Sequence, residues 1–365
     1  MYKSFRAAVL RESFISAGDS VLVGVSGGVD SMVLLSLLLE LQQDIDFALS
    51  VAHVNYGLRG EESDDQEKLV RDFCLRNYLR CFFSNPKLFE TQKDNLQNAA
   101  RDFRYHYFSE MALETGVNRV AVAHHKEDQV ETILGHLLRG SSLKGLAGMQ
   151  TVRKMQNSKI KDQNLMLIRP LLTFSKEEIK KYAAENKVSY LEDSSNLSKE
   201  YWRNQLRHDL LPVLEKLRPK AFDKIVQLGD DLREVADFLT ITATDWLKEF
   251  SRKEEDAFWM PRPRWATLPR PLRLEVLHQA VKMFATSERS EREGEAPTAL
   301  PLEGATRAPV IVLKDLKRDH LVRCEQIALG EKPEGYYHLP AELRFVRQGD
   351  SLLLSKSCVN LRSNK

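Results

Sequence analysis

A short β-branched run at 20–25 (SVLVGV) stops at a glycine turn, Ser26-Gly27-Gly28-Val29-Asp30-Ser31, and passes at once into a leucine-rich helical stretch at 31–41. The unit then repeats. Strand candidates at 47–54, 80–84 and 119–123 alternate with helix candidates at 62–79, 95–114 and 127–138. Strands that alternate with helices of this length cannot pair as hairpins, so they predict βαβ units and a doubly wound, mainly parallel α/β sheet covered on both faces. Such sheets bind ligands beyond the carboxyl ends of their strands. The glycine turn, His53, and the pair His124-His125 therefore share one expected crevice.

The turn itself can hold an anion. Its glycines let the main chain approach a phosphate, free N–H groups collect at the helix start, and Ser26 and Ser31 add hydroxyl donors. Asp30 beside a polyphosphate needs a cation such as Mg²⁺ between them. Gly and Ser also suit a tight strand-to-helix turn with no ligand, and the loop alone leaves both readings open. No Gly-Lys-Ser/Thr closes it, which excludes a Walker A loop.

Further along, 139–149 is too glycine-spaced for a helix interior and predicts a loop, and 150–164 an exposed hairpin or loop. A last strand at 165–172 precedes a helix at 175–186 with Ser175 as its N-cap, then a helix at 202–217. Continuous helical patterning over 220–253 predicts a smaller, mostly helical C-terminal domain. The expected division is 1–200, a connecting helix at 201–219, and 220–365, with an acid-, Pro- and Gly-rich mobile insert at 287–308.

A formal net charge of +2 excludes a bulk polycation, so any nucleic-acid contact must come from local patches. Residues 151–181 carry eight Lys/Arg against three Asp/Glu, and 262–273 carry four Arg and no acid. In the second stretch arginines interleave with Trp265 and follow Trp259. That pattern suits either an RNA-stacking surface or a proline-rich linker with its tryptophans in the core. Cys74, Cys81, Cys324 and Cys358 form no C-x-x-C pair and no zinc spacing, and read as free thiols. The N-terminus lacks a secretory h-region and no apolar run spans a bilayer, so a cytoplasmic chain with no membrane partner is expected.

The loop resembles the S-G-G-x-D-S signature of the ATP pyrophosphatases, which cleave ATP between its α- and β-phosphates. Four more segments resemble the tRNA(Ile)-lysidine synthetase family in particular. They are His53-Val54-Asn55-Tyr56-Gly57-Leu58-Arg59; Asn95-Leu96-Gln97-Asn98-Ala99-Ala100-Arg101 with Arg104-Tyr105; the run 124–149; and Glu192-Asp193-Ser194-Ser195-Asn196 followed by Arg203-Asn204-Gln205-Leu206-Arg207-His208. The family often has His where Tyr56 stands and Asp-Asp where Glu127-Asp128 stands. Its larger members continue into one more C-terminal domain, expected to be missing here.

The resemblance implies a ligase with two substrates besides ATP and Mg²⁺: an isoleucine tRNA with a CAU anticodon, and free L-lysine. The wobble cytidine is adenylated at C2, and lysine then displaces AMP to give lysidine. No obligate protein partner is expected. ATP is assigned to Ser26, Gly27, Gly28, Val29, Asp30, Ser31 and His53, with Asp30 also catalytic and the Mg²⁺ ligand. Arg101 and Arg104 are assigned to negative charge on the α-phosphate, the task a guanidinium does best. Asp128 and Glu131 lie three apart on one helix face and are assigned to lysine. Arg139, Lys144, Arg203, Arg207 and His208 are assigned to tRNA. A tRNA thiolase is disfavoured because such relatives generally need paired cysteines.

Overall fold

The computed structural model describes residues 1–57, 60–86, 96–155, 165–192, 202–254, 257–294, 316–332, 334–340 and 342–356, without the side chains of 96, 97 and 286–294. The motif residues Leu58, Arg59, Asn95 and Asp193 to Asn196, the stretch 156–164 and Cys358 lie outside the described residues. The chain divides into two compact units, Met1–Asp230 and Asp231–Lys365.

Unit 1 opens with helix α1 (Tyr2–Arg11), strand β1 (Ser20–Gly24), helix α2 (Val29–Leu41), β2 (Ala48–Val54), α3 (Glu61–Arg76) and β3 (Arg80–Ser84). It continues through α4 (Leu96–Thr115), β4 (Arg119–Ala121), α5 (Lys126–Leu138), the single turn α6 (Leu143–Leu146), β5 (Val152–Lys154), β6 (Met166–Ile168) and α7 (Lys176–Glu185). The expected alternation is therefore present. The helical segment 202–217 divides into α8 (Trp202–Gln205), a π-helical turn (Leu206–Leu210) and α9 (Leu211–Leu217). Within 139–149, expected to be loop throughout, α6 places Gly145 inside a helical turn, while Gly140 and Gly148 take left-handed φ of 70° and 68° on either side.

The six strands lie in the order β3-β2-β1-β4-β6-β5, parallel throughout except for β5 against β6. Two-sided burial explains the apolar strands. Val21 and Val23 of β1 pack into one core cluster with α2 and Leu171, and Leu22 packs into another with Phe108 and Val120. Helix α2 buries nine of its thirteen residues, which is why its apolar residues run around the whole helix. The chain leaves β1 toward β2 on one side, and β4 joins β1 on the other. The β1/β4 junction is thus a topological switch point with an open crevice above it. The loop after β1, His124 and His125 after β4, and Arg169 after β6 all emerge at that edge.

In unit 2, which includes most of α10 (Ala221–Phe250), the helices α11 (Arg262–Ala266), α12 (Arg270–Gly294) and α13 (Arg318–Leu329) accompany a five-stranded antiparallel sheet. Its strands β7 (Arg252–Glu254), β8 (Ala257–Pro261), β9 (Glu334–Leu339), β10 (Leu343–Gln348) and β11 (Ser351–Lys356) are ordered β7-β8-β11-β10-β9. Trp265 is fully buried in this unit's core. Arg270 and Arg273 both bond the buried Glu325 at 3.0 Å. The stretch 262–273 is therefore two helical segments rather than a linker, and Trp265 is closed to base stacking. Helix α12 runs on to Gly294, into the first part of the expected insert, and 295–308 lie outside the described residues. No helix among the described residues is long and apolar enough to cross a membrane.

Candidate active site

Gly27 adopts φ +90°, and a Cβ there would sit 3.1 Å from Gln66 Cβ, so both backbone and space call for glycine. Gly28 is the extended N-cap of α2. The loop is braced from within: Ser31 Oγ accepts from the Ser26 N–H at 3.1 Å and donates to the Gly28 carbonyl at 2.9 Å. From outside, the Leu191 N–H donates to the Gly27 carbonyl at 3.0 Å. Preformed loop geometry spares the ordering cost of binding an anion.

Asp30 stands in the first turn of α2, and both of its carboxylate oxygens lie 2.6 Å from Lys176 Nζ. Lys176 opens α7, whose N-cap Ser175 forms the expected cap as a full capping box with Glu178. Nothing in the local pattern of α7 marks Lys176 as a site residue, because its partner is 146 positions away. Glu127 ties the same end of α7 down by accepting from the Lys176 N–H at 3.0 Å, and also meets His125 Nδ1 at 2.9 Å.

His125 is the N-cap of α5 and is almost fully buried. Its Nε2 lies 3.5 Å from Asp128 and 3.9 Å from Asp30. Burial alone would lower its pKa, but Asp128, Glu127 and Asp30 outweigh burial and raise it. In return, Asp128 is held down to about 2: burial would raise it, and the positive charges of His125 and Arg203 prevail.

Asp128 and Glu131 do share a face of α5, and the structure brings them together with two residues assigned to tRNA. Arg203 Nε and Arg207 Nε each donate to Glu131 at 2.7 Å, and their outer nitrogens reach Asp128 at 3.5 and 3.2 Å. The Glu131 side chain has no exposed surface, so its charge depends on this fork of guanidinium groups. Arg207 and His208 both lie in the π-helical turn, and His208 remains exposed. The resemblance assigned the acids and the arginines to separate functional sets, whereas the fold makes them one ion cluster.

Elsewhere the placements are looser. His53 is buried behind the phosphate loop with Nδ1 on the Val25 carbonyl at 2.8 Å, and burial lowers its pKa. Arg101 and Arg104 are exposed on α4, with the Arg101 guanidinium 5.6 Å from the Tyr105 ring centroid and Arg104 bonded to Tyr56. Arg139 and Lys144 are exposed around α6, and Arg139 covers the ring of Trp202 at 5.0 Å. That loop is secured to α5 by paired hydrogen bonds between Gln129 and the Met149 backbone, at 3.0 and 2.7 Å. A cleft of about 280 Å³ opens beside the site. His125, Glu127, Lys176, Arg207 and Glu215 are its charged lining, and Leu211, Pro212 and Phe222 its apolar lining.

Among the described residues no three His, Cys, Asp or Glu side chains converge as a metal cage. A lone carboxylate at a phosphate loop nevertheless suits Mg²⁺, which takes one or two carboxylates and completes its shell with water and substrate phosphates.

A family model described as the PP-loop domain matches residues 3–214. The chain is 34% identical to the tRNA(Ile)-lysidine synthase of Geobacillus kaustophilus, over 76% of its own length and 59% of that protein's. It is 30% identical to the tRNA(Ile)-lysidine synthase of Geobacter sulfurreducens, over 99% of its length and 70% of that protein's. Among solved structures, the U34-tRNA thiolase NcsA from Methanococcus maripaludis superposes with a TM-score of 0.54 at 20% identity, over 64% of this chain and 78% of that one, which reflects the shared fold. The chain thus spans between half and three-fifths of the length of relatives such as those of Bacteroides thetaiotaomicron and Geobacillus kaustophilus. Its phosphate loop, its switch-point crevice and its match to the Geobacter protein along nearly its whole length place the chain in the tRNA(Ile)-lysidine synthase family of PP-loop proteins.

Proposed function

We propose that this chain is an ATP-dependent, carbon–nitrogen bond-forming ligase that converts the wobble cytidine of a CAU-anticodon isoleucine tRNA to lysidine. The observation that carries the reading is the adjacency of a phosphate loop and an acid pair. Asp30 of the loop and Asp128 of the pair face the same His125 ring at 3.9 and 3.5 Å. The loop from Ser26 to Ser31 would hold pyrophosphate, with Lys176 exchanging Asp30 for phosphate oxygens as nucleotide enters. Asp30 would then hold Mg²⁺, which supplies charge neutralisation between the phosphates.

The carbonyl oxygen at C2 of cytidine is a poor leaving group, and adenylation converts it to AMP. Lysine's amine, with an ordinary pKa of about 10.4, arrives charged and must lose a proton before attack. Asp128 and Glu131 would receive that cation. The fork of Arg203 and Arg207 suits the ligand's carboxylate, because a zwitterion can exchange one contact with each sign of charge in the cluster. Arg101 and Arg104, exposed beside the crevice, remain assigned to α-phosphate charge. Arg139, Lys144 and His208 are assigned to tRNA phosphates, and the unit beyond residue 230 to the tRNA body. A sulfur-transfer reading finds no support in Cys74, whose thiol burial pushes up to about 12.

The deciding assay combines protein, ATP, Mg²⁺, labelled lysine and CAU-anticodon isoleucine tRNA. Label entering the RNA only when all components are present is the expected result. Incorporation of sulfur, or tRNA binding without AMP release, overturns the reading.

A further inference from the structure

Arg169, one residue past β6, is 2% exposed, and among the described residues no carboxylate bonds it. Among the described residues its guanidinium is hydrogen-bonded by neutral groups alone. Nε donates to His124 Nδ1 at 3.3 Å, one outer nitrogen donates to the Gln150 carbonyl at 2.6 Å, and a further bond joins it to Tyr105. A buried charge without a counterion is costly, and nearby Arg101 and Arg153 add repulsion. His124 and Arg169 follow the carboxyl ends of the neighbouring parallel strands β4 and β6.

Arginine can only donate, so His124 Nδ1 must be the acceptor and the ring proton must sit on Nε2. The charged groups around this imidazole are Asp128, Arg169, Arg101 and Arg203. Burial and the three arginines prevail over Asp128 and push its pKa down to about 3, so the ring is uncharged at neutral pH. His124 lies directly before His125, the cap of α5, within electrostatic reach of Asp128 and Arg203 of the acid–arginine cluster.

We propose that Arg169 is a positioning residue that holds His124 as a neutral Nε2–H donor, aimed at a phosphoryl oxygen of the nucleotide during adenyl transfer. This rests on the adenylation reading above. A neutral donor stabilises growing negative charge without first binding the phosphate so tightly that the gain is lost. The buried guanidinium behind it orients the ring and keeps it from taking up a second proton.

Two measurements on the full chain test the proposal. In histidine-¹⁵N spectra, His124 is expected as the Nε2–H tautomer, unchanged between about pH 5 and 8. Arg169→Met should give a tautomer mixture that begins to titrate, with Arg169→Lys intermediate. In tRNA-dependent ATP–pyrophosphate exchange, Arg169→Met should lower kcat about tenfold while KM for ATP stays within about twofold. Combined with His124→Ala it should add nothing further, because one residue acts through the other. An Nδ1–H tautomer in the wild type, or losses that multiply in the double variant, would overturn the proposal. If Arg169→Met fails to fold, Arg169→Lys carries both measurements, and a wild-type tautomer and turnover there would also overturn it. Absence of exchange in the wild type overturns the adenylation reading and with it the phosphoryl recipient, while the spectra still decide the Arg169–His124 pairing.

Discussion

Glu131 has no exposed side-chain surface, and its two oxygens are each held at 2.7 Å by a different arginine. Removing both arginines strands a buried carboxylate. Arg203→Ala/Arg207→Ala should therefore cost about 3 kcal/mol or more in urea unfolding, whereas either single variant, which leaves one partner, should cost less than half of that. Arg207→Ala alone should raise KM for lysine more than KM for ATP. Asp30→Ala should abolish pyrophosphate exchange, and normal turnover in that variant would remove Asp30 from the site. His124 also makes a prediction about pH. Its folded pKa of about 3 lies below the ordinary 6.5, so its neutral form contributes stability above pH 6.5 that is lost as pH falls toward 3. Between pH 7 and 5 that loss amounts to roughly 1–2 kcal/mol. His124→Gln should flatten that limb of the stability profile relative to wild type.

At the scale of elements, the site depends on where helices begin and how closely two of them approach. Gly27→Ala would force a side chain into a left-handed backbone against Gln66, with an expected stability loss of about 1–2 kcal/mol and weakened ATP binding in a titration. Gly135 of α5 is a different case. A Cβ there would run into the Trp202 ring, so Gly135→Ala should displace α8, which carries Arg203, and with it Arg207 beyond. The lysine-dependent step should suffer while ATP–pyrophosphate exchange persists. Equal loss of both steps would show that α5 itself had shifted. These elements were largely readable from the chain, because β1, β2 and β4 are apolar on both faces and Ser175 is a capping residue. The π-helical turn was not, since no residue within Leu206–Leu210 departs from an ordinary helical pattern.

For the whole molecule, a net charge of +2 implies that any tRNA affinity comes from a few local cations rather than from a general field. Arg139→Ala and Lys144→Ala should each reduce the slope of log affinity against log salt by about one. A slope unchanged by both substitutions would move the RNA contact elsewhere. Unit 2 was the less legible half. Its strands are short, and although β7-β8, β9-β10 and β10-β11 are neighbours in the chain, β8 pairs with β11 across helices α12 and α13, a join that no local pattern marks. The arginines of 262–273 looked available for RNA, yet Glu325 occupies two of them and Trp265 lies in the core.

The amino-acid sequence by itself determined the parallel sheet, the phosphate loop and the edge at which the site lies. Those follow from local physics: two-sided burial, glycine at a left-handed turn, and helix caps. Only the tertiary structure decided which charges meet. Lys176 reaches Asp30, Arg203 and Arg207 close on Glu131, and Arg169 backs His124, over separations of 146, 72, 76 and 45 residues. Ion pairs across such distances are set by the packing of whole elements, and no periodicity along the chain encodes them.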